Sequence, residues 1–287
     1  VLSLEDDVDI RKLTLKNTGD KEEVLEVTSY METTLTSFAG DTAHPSFSNL
    51  FIQTEFDEEN ETLLSKRRPR VKNGEIPFLY HKAIVSGNKE DGISYETSRV
   101  DFIGRNRDLN SPKALEEDSL KNNVGIVLDP IMSIRTKVRL QENEEKIIYF
   151  ITGISESKQD ALKLSKEYSD IKKLEKAFTI YNRGMQVELR NLGITENQAN
   201  IYQELASYIL FLNDKRKDRE DYIKNINKHQ KDLWAYGISG DLKIILLEIK
   251  NDDDLDTVRF VLKMHNYFKI QGLKTDLIIY NDEEESY

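Results

Sequence analysis

The chain has 287 residues, of which 38% are hydrophobic and 32% are charged, as in water-soluble globular domains. Its formal net charge of −11 argues against a broad nucleic-acid-binding face, since such a face has to attract phosphates. The sequence contains no cysteine, which excludes disulfides, thiolate zinc sites and a cysteine nucleophile. No apolar run approaches the roughly 18 residues that span a bilayer, and the start lacks the basic region of a signal peptide. We expect a cytoplasmic location with no membrane segment in this chain.

Residues 1–155 have the composition and periodicity of strands. Residues 8–15 are strand-like, and residues 17–20 form a turn. In residues 25–33 every second position carries a more polar side chain, as in a strand with one polar face. The polar stretches 67–74 and 104–123 are predicted surface loops or short helices. We predict an antiparallel β-sandwich for this region.

Two further strands are predicted near the end of the sandwich. Residues 132–140 alternate apolar or small residues with Arg and Lys, and residues 147–151 are apolar throughout. The polar residues 141–145 between them fit a turn of about five residues. We therefore predict a β-hairpin.

Residues 156–232 switch to a helical period and are predicted to form a helical linker. A capping sequence begins at Ser157, and a long helix with a break near residues 169–170 follows. A second helix begins at Thr195, where Gln198 completes a capping box. Residues 213–232 are highly charged, which is typical of a solvated linker or an exposed helix. The apolar stripe of the long helix comprises Ala161, Leu164, Tyr168, Ile171, Leu174, Phe178 and Tyr181.

Residues 233–287 are predicted to begin a small α/β subdomain. Strands at 243–249 and 275–280 flank a helix that starts at the acidic run 252–254 and stops near Gly272. This order predicts a βαβ unit. Two parallel strands do not fold alone, so we expect the sheet to continue past Tyr287 in a longer polypeptide. The predicted buried face of the helix comprises Leu255, Val258, Leu262, His265 and Phe268.

Residues 237–241, Gly-Ile-Ser-Gly-Asp, form the most suggestive local motif. A nucleophile elbow requires glycine at the fifth position and a helix after it, whereas here Asp241 and a strand follow. A phosphate-binding loop requires a glycine-rich turn that opens a helix, which is also missing. Aromatic faces beside short polar groups suit a sugar, so Trp234, Tyr236, Ser239 and Asp241 are candidate substrate-binding residues. The alternative is a packed turn that Trp234 anchors in the core.

Other candidate sites are weaker. The histidines His44, His81, His229 and His265 lack metal-ligand spacing, so no metal site is predicted. The basic run 66–70 is interpreted as a surface loop. Arg105 and Arg107 follow a glycine turn and could hold an anion, or they could pair with Asp101 and Asp108. Among 52 acidic residues no pair of glycosidase carboxylates can be identified, so no catalytic residue is predicted.

Seven segments of the sequence resemble those of a known family and occur in the same order and with the same spacing. Together they resemble the phosphorylase-type module of cyclic β-1,2-glucan synthases, are similar to the 1,2-β-oligoglucan phosphorylases, and are more distantly similar to cellobiose phosphorylase. The segments are residues 5–17, 25–35, 43–56, 95–107, 127–140, 233–249 and 272–287.

The resemblance implies a β-supersandwich whose first strands precede Val1, a helical linker and an α/β insertion, all ahead of an (α/α)₆ barrel with the catalytic acid. It implies inverting chemistry, in which that acid protonates the glycosidic oxygen while inorganic phosphate attacks the anomeric carbon. Phosphate is then a co-substrate of the longer enzyme, and no cofactor is expected. The acid lies outside this chain.

Family dimers lend the sandwich of one subunit to the active site of its neighbour. By this resemblance the chain forms a homodimer, and residues 41–48 and 104–108, including His44 and Arg105, contact a β-1,2-glucan or gluco-oligosaccharide. The expected function is therefore that of a non-catalytic sandwich and linker that supports dimerisation and the rim of a carbohydrate site. The alternative is an autonomous carbohydrate-binding β-sandwich module.

Overall fold

The computed structural model describes residues 1–69, 77–87, 92–211 and 218–282, except for the side chain of Asp252. The chain divides into two compact units, residues 1–182 and 183–287. Each unit has its own buried core, and the two are described separately below.

The first unit is built mainly of strands. Its strands are β1 (Val8–Lys16), β2 (Glu23–Thr28), β3 (Met31–Glu32), β4 (Ile52–Asp57), β5 (Thr62–Arg67), β6 (Phe78–Val85), β7 (Ser94–Ser98), β8 (Pro130–Leu140) and β9 (Glu145–Ser155). Its helices are α1 (Phe38–Ala43), α2 (Pro45–Asn49), α3 (Arg99–Ile103), a 3₁₀ helix (Lys113–Glu116), α4 (Lys158–Glu167) and the first half of α5 (Ile171–Leu192). The short helices α1, α2 and α3 have too few residues to produce a helical period, so the sequence did not predict them.

Two antiparallel sheets face each other and confirm the predicted sandwich. One sheet has the strand order β1-β9-β6-β5-β4, and in the other β8 pairs with β2, β3 and β7. Apolar side chains from both sheets fill the space between them. This inter-sheet core contains Leu63, Ala83, Tyr95, Met132, Ile134, Val138, Leu140, Ile148 and Phe150.

The predicted hairpin between β8 and β9 is wrong, because these strands lie in different sheets. Leu140 of β8 pairs with Glu23 of β2, whereas Glu145 of β9 pairs with Lys16 of β1. The strand β9 is apolar on both faces and needs cover on both. In the five-stranded sheet one face of β9 meets β8 across the core and the other meets α4. Pairing with β8 would instead have put the Arg and Lys side of β8 beside an apolar face of β9.

Helix α4 covers the outer face of the five-stranded sheet. The Ser157 side chain accepts a hydrogen bond from the Asp160 amide, which confirms the predicted start of the helix. Helix α4 ends at Glu167 and α5 begins at Ile171, so the predicted break is also confirmed. Ala161, Tyr168 and Leu174 pack against Tyr80 and Ile151 of the sheet. Ile171 is 38% exposed, so the predicted buried stripe is interrupted at this residue.

A layer of loop and short helix covers the outer face of the second sheet. Phe102, Ile103, Ala114 and Leu120 pack on Ile131 of β8. The predicted surface segment 104–123 is confirmed as loop with one short helix. It is tied to β8 by Arg135, whose guanidinium is 2% exposed and donates to the backbone carbonyls of Ala114 and Glu117.

The second unit combines helices with a small parallel sheet. It contains the second half of α5, α6 (Glu196–Leu210), α7 (Glu220–Lys224), a 3₁₀ helix (Gln230–Tyr236), β10 (Lys243–Ile249), a 3₁₀ turn (Asp252–Asp254), α8 (Leu255–Ile270) and β11 (Thr275–Asn281). The capping box of Thr195 and Gln198 is confirmed at the start of α6. Within the described residues 218–232, every residue of α7 is exposed, as the charge of this segment predicts.

Strands β10 and β11 pair in parallel along their whole lengths, with α8 between them in sequence, which confirms the βαβ unit. Gly272 follows α8 with a φ of +80°, a conformation that favours glycine at a helix end. The predicted buried face of α8 is partly wrong, because Leu255 and Leu262 are about half exposed. The buried face instead holds Met264, Tyr267 and Phe268, which pack with Leu189, Ile194, Ala199 and Tyr202.

The Asp254 carboxylate does not cap α8 but accepts the backbone amides of Lys250 and Asn251. None of the helices in the described part of the chain combines the length and apolar character that crossing a bilayer requires.

Candidate functional site

Two clefts on the first unit meet at Arg99. The first has a volume of about 770 Å³ and the second about 450 Å³, the range of small-ligand sites. The first cleft is lined by Glu32, Pro45, Ser46, Phe47, Asn49, Leu50, Arg99, Leu128 and Asp129. The second is lined by Arg99, Val100, Ile103, Gly104, Arg107, Asp108, Leu109 and Asn110. We call the first cleft the Arg99 groove.

Local structure explains how these side chains reach the groove. The Ser98 side chain caps α3 by accepting the Asp101 amide, which places Arg99 in the first turn. The Arg99 amide donates to the carbonyl of Asp129, so the start of α3 is fixed beside the start of β8. Strand β3 pairs with β8 and brings Glu32 alongside. Pro45 begins α2, a position that suits proline because a backbone amide there would have no hydrogen-bond partner within the helix.

A hydrogen-bonded ion network forms one wall of the groove. The Arg99 guanidinium donates to Glu32 at 3.1 Å and to Asp129 at 3.2 Å. The Tyr30 hydroxyl donates to Glu32 at 2.8 Å, and the Asn49 amide nitrogen donates to Asp129 at 3.1 Å. Each carboxylate is therefore held by two donors in a defined orientation.

Two groups of this network, Tyr30 and Arg99, have raised pKa values. Burial, followed by the hydrogen bond to Glu32, raises the pKa of Tyr30 to about 12, so its hydroxyl remains a neutral donor at neutral pH. The hydrogen bond with Tyr30, followed by the nearby Asp129 and Glu32 charges, raises the pKa of Arg99. The buried Oδ1 of Asn49 accepts no hydrogen bond from any residue that the structure describes. Buried polar atoms usually have partners, so an ordered water is the expected partner of this oxygen.

Apolar side chains form the other wall. Phe47 is 54% exposed and Leu128 is 75% exposed at the lip of the groove. The Phe47 ring is held edge-on against Phe51, with ring centroids 5.3 Å apart. A half-exposed aromatic ring in the same cleft as fixed donors and acceptors is a lining that suits the C–H and hydroxyl surfaces of a polyhydroxylated ring.

The two loops predicted to contact substrate each contribute to one of the clefts. Residues 45–47 line the Arg99 groove, and Gly104 and Asp108 line the second cleft. In the sequence, His44 comes just before the groove residue Pro45, and Arg105 lies between Gly104 and Arg107 of the second cleft. Both side chains are exposed and neither lines a cleft. The sequence did not single out Glu32, Asn49, Arg99 and Asp129, which line the Arg99 groove. All four lie within the family-like segments, which is the signal that could have found them.

The alternative pairing of the arginines with nearby aspartates is wrong. Arg107 pairs with Glu116, and Asp101 pairs with Lys121. Lys121 holds the pKa of Asp101 below its usual range. Burial raises the pKa of Glu96, as in a general acid. However, Glu96 is buried, lines neither cleft, and accepts the amides of Thr97 and Ser98, so it is structural.

The predicted sugar motif of the second unit forms one compact turn. Trp234 and Tyr236 lie in the 3₁₀ helix, and Ser239 and Asp241 lie in the return before β10. Trp234 is 65% exposed, so the alternative in which it anchors a core is wrong. Its indole nitrogen donates to the Ser239 carbonyl at 3.2 Å.

The basic run and the histidines form no site in the described residues. Lys66 and Arg67 belong to β5, so the predicted loop is wrong for them, and Arg70 lies outside the described residues. His81 is buried between Ser29 and Thr152. Burial lowers the pKa of His81 to about 4. Within the described ranges no three His, Asp or Glu side chains are grouped to hold a metal ion.

Known carbohydrate-active proteins are similar to this chain. The family profile described as glycosyl hydrolase 94, supersandwich domain, matches residues 1–171. The cyclic beta-(1,2)-glucan synthase NdvB of Rhizobium meliloti (strain 1021) is 28% identical over 288 aligned residues. The alignment covers 100% of this chain and 10% of that relative, so the chain spans about a tenth of the relative's length.

Proposed function

The chain belongs to the glycosyl hydrolase 94 supersandwich family, and from this membership we propose that it is the non-catalytic sandwich and linker portion of a β-1,2-glucan-active enzyme. The resemblance seen in the sequence segments is confirmed by that membership. The glucan linkage is proposed from the named activity of the relative. The longer enzyme would be a glycosyltransferase or an inverting phosphorylase, with inorganic phosphate as co-substrate in the second case.

The structural observation that supports a carbohydrate contact is the Arg99 groove. Its network holds guanidinium and carboxylate groups in fixed positions, and the half-exposed Phe47 ring lines the same groove. The groove lacks the features of a hydrolytic centre, since Arg99 already occupies the space between Glu32 and Asp129 as their shared partner. We propose that it contributes hydroxyl contacts to the rim of a carbohydrate site.

A turnover assay tests the non-catalytic role. The 287-residue chain is incubated with linear β-1,2-gluco-oligosaccharides, with and without inorganic phosphate, and phosphate consumption and reducing ends are followed. We expect no turnover. Turnover that persists in repurified protein would contradict the proposal, because it would require a catalytic acid within this chain.

A binding titration tests the groove. Because a rim supplies only part of a site, we expect the chain alone to bind with a Kd of about 1 mM, equivalent to about 4 kcal/mol. Arg99→Ala should weaken this binding, whereas Lys137→Ala, on the outer face of β8, should not. Equal binding by both variants would contradict the groove assignment. Micromolar binding by the isolated chain would favour the autonomous carbohydrate-binding module.

We also propose that the chain forms a homodimer through the apolar residues around the two clefts. Val100, Leu109 and Leu128 are exposed there, and exposed apolar clusters mark interaction surfaces. Sedimentation velocity should show a concentration-dependent dimer that Leu128→Lys shifts toward monomer. A monomer at all concentrations would contradict this part of the proposal.

A further inference from the structure

The 3₁₀ turn of the second unit displays the one tryptophan in the sequence. Trp234 is 65% exposed, although burial of an indole ring is among the largest favourable contributions that a side chain can make. A large aromatic ring left in solvent is a common feature of binding surfaces. In this chain the ring is therefore accessible to a ligand.

Hydrogen bonds rather than packing orient this ring. The Trp234 indole nitrogen donates to the Ser239 carbonyl at 3.2 Å, and the Gln230 amide donates to the same carbonyl at 3.0 Å. Gln230 also donates to Asp241 Oδ1 at 2.9 Å, which ties the start of the turn to its end. The ring is thus held in place before any ligand arrives, which lowers the entropic cost of binding.

Glycine at position 240 is required by this closure. Gly240 has a φ of +72°, and a Cβ there would lie 2.9 Å from Gln230 Cγ and 3.0 Å from Leu233 Cδ1. The close approach lets Gln230 reach both the Ser239 carbonyl and Asp241, and Trp234 reach the same carbonyl. The turn is therefore a specifically built structure and not a loosely connected loop.

Polar groups next to the ring retain hydrogen-bonding capacity. The Ser239 hydroxyl oxygen accepts the Asp241 amide at 3.2 Å, which leaves its proton free to donate. Asp241 Oδ2 accepts no hydrogen bond from any described residue, since the bond from Gln230 goes to Oδ1. One donor, one carboxylate acceptor and an exposed aromatic ring within a single turn match the hydroxyl and C–H surfaces of a pyranose ring.

We propose that this turn binds a glucosyl unit of a β-linked gluco-oligosaccharide, with the sugar ring stacked on Trp234 and its hydroxyls on Ser239 and Asp241. A nucleotide would also stack on the indole, but Asp232 and Asp241 repel its phosphates. Tyr236 projects about 120° away around the 3₁₀ helix, so it does not extend this platform. The β-1,2 linkage rests on the proposed function, whereas the contact itself rests on the turn.

Fluorescence of the single tryptophan reports directly on this site. The 287-residue chain is titrated with a linear β-1,2-gluco-oligosaccharide while Trp234 emission and its quenching by acrylamide are recorded. We expect a saturable change in emission and reduced quenching as the sugar covers the ring. A matched α-1,4-gluco-oligosaccharide should bind more weakly, and an equal response would overturn the linkage assignment.

Variants measured by nuclear magnetic resonance titration complete the test. Trp234→Ala should weaken binding about tenfold and Ser239→Ala about threefold. Tyr222→Ala is the matched control, because Tyr222 is an exposed aromatic residue of the same unit outside the turn. It should change binding by less than about twofold. Circular dichroism checks that each variant is folded.

The outcomes separate this inference from the groove. Emission that changes on binding, together with an unchanged affinity of Arg99→Ala, would support the turn and overturn the groove. Binding without an emission change, together with full affinity of Trp234→Ala, would overturn the turn and leave the groove. No binding by either readout would overturn both.

Discussion

The Arg99 groove and the Trp234 turn present similar chemistry but are built in opposite ways. The groove collects Glu32, Asn49, Arg99 and Asp129 from four distant parts of the chain. The turn is contained within residues 230–241 and is closed by its own hydrogen bonds. Side chains in the groove are therefore coupled to the sandwich, whereas those of the turn depend mainly on local structure.

This difference has consequences for mutation. A change in the layer that supports the groove should affect the stability of the first unit and ligand contact together. A change in the turn should affect ligand contact with little effect on stability. The predictions below test this separation, beginning with the largest expected effect.

Arg135→Ala should be the most damaging substitution. It removes the buried guanidinium that joins β8 to the carbonyls of Ala114 and Glu117 and to the Thr28 hydroxyl. We expect the free energy of unfolding to fall by roughly 3–5 kcal/mol in urea titrations. The control Arg139→Ala removes an exposed arginine from the same strand and should cost much less. Similar losses for the two variants would contradict the role of Arg135.

His81 should make the sandwich sensitive to acid. Its pKa is about 4 in the folded protein because of burial, whereas the unfolded chain protonates it near 6.5. Between these values the unfolded state binds more protons, so stability is retained above pH 6.5 and falls toward pH 4. The loss attributable to His81 is roughly 3 kcal/mol.

The His81→Gln variant isolates this effect from other titrating groups. It removes the titration while retaining polar atoms that can meet Ser29 and Thr152. Urea titrations across this pH range should show a shallower pH dependence for the variant than for the original chain. Parallel curves would show that His81 does not control acid stability.

Arg99→Ala should have an intermediate effect. Arg99 is partly exposed, so solvent screens its pairs with Glu32 and Asp129, and their loss should cost about 1 kcal/mol. Binding at the groove should weaken at the same time. A large stability loss would show that the network is structural and would weaken its assignment to a ligand.

Trp234→Ala should have the smallest effect on stability. Because the ring is mostly exposed, the free energy of unfolding should change by less than about 0.5 kcal/mol. Thermal and urea unfolding of the variant and the original chain check this. A loss of several kcal/mol would show that the indole ring packs into the second unit and would contradict its assignment as a platform.

The two regions also differ in how far the sequence predicted them. Residues 230–241 are adjacent in sequence, so composition and glycine spacing indicated that Trp234, Ser239 and Asp241 would lie together. The groove depends on contacts of β3 and α3 with β8. The spacing of residues along the chain does not show which distant elements are in contact. Only the family-like segments indicated that these stretches matter.

The same reasoning explains which elements were predicted correctly. Caps at Ser157 and Thr195 and the βαβ order rest on local signals, and all are confirmed. The partners of β8 and β9 depend on which faces are covered, and a short polar turn looks the same whether it joins neighbouring strands or crosses between sheets. The buried face of α8 was misassigned for a related reason, because apolar residues occur on more than one side of it.

The central claim is that the Arg99 groove contacts glucan without performing chemistry. The most direct measurement is a ¹H–¹⁵N correlation titration of the 287-residue chain with a linear β-1,2-gluco-oligosaccharide, which includes the Nε–H signal of Arg99. We predict saturable shifts of the Arg99 Nε–H and of the Asn49 side-chain amide, with no change in the oligosaccharide over time. The claim would be contradicted if neither of these two signals moved during the titration, or if the chain converted the oligosaccharide.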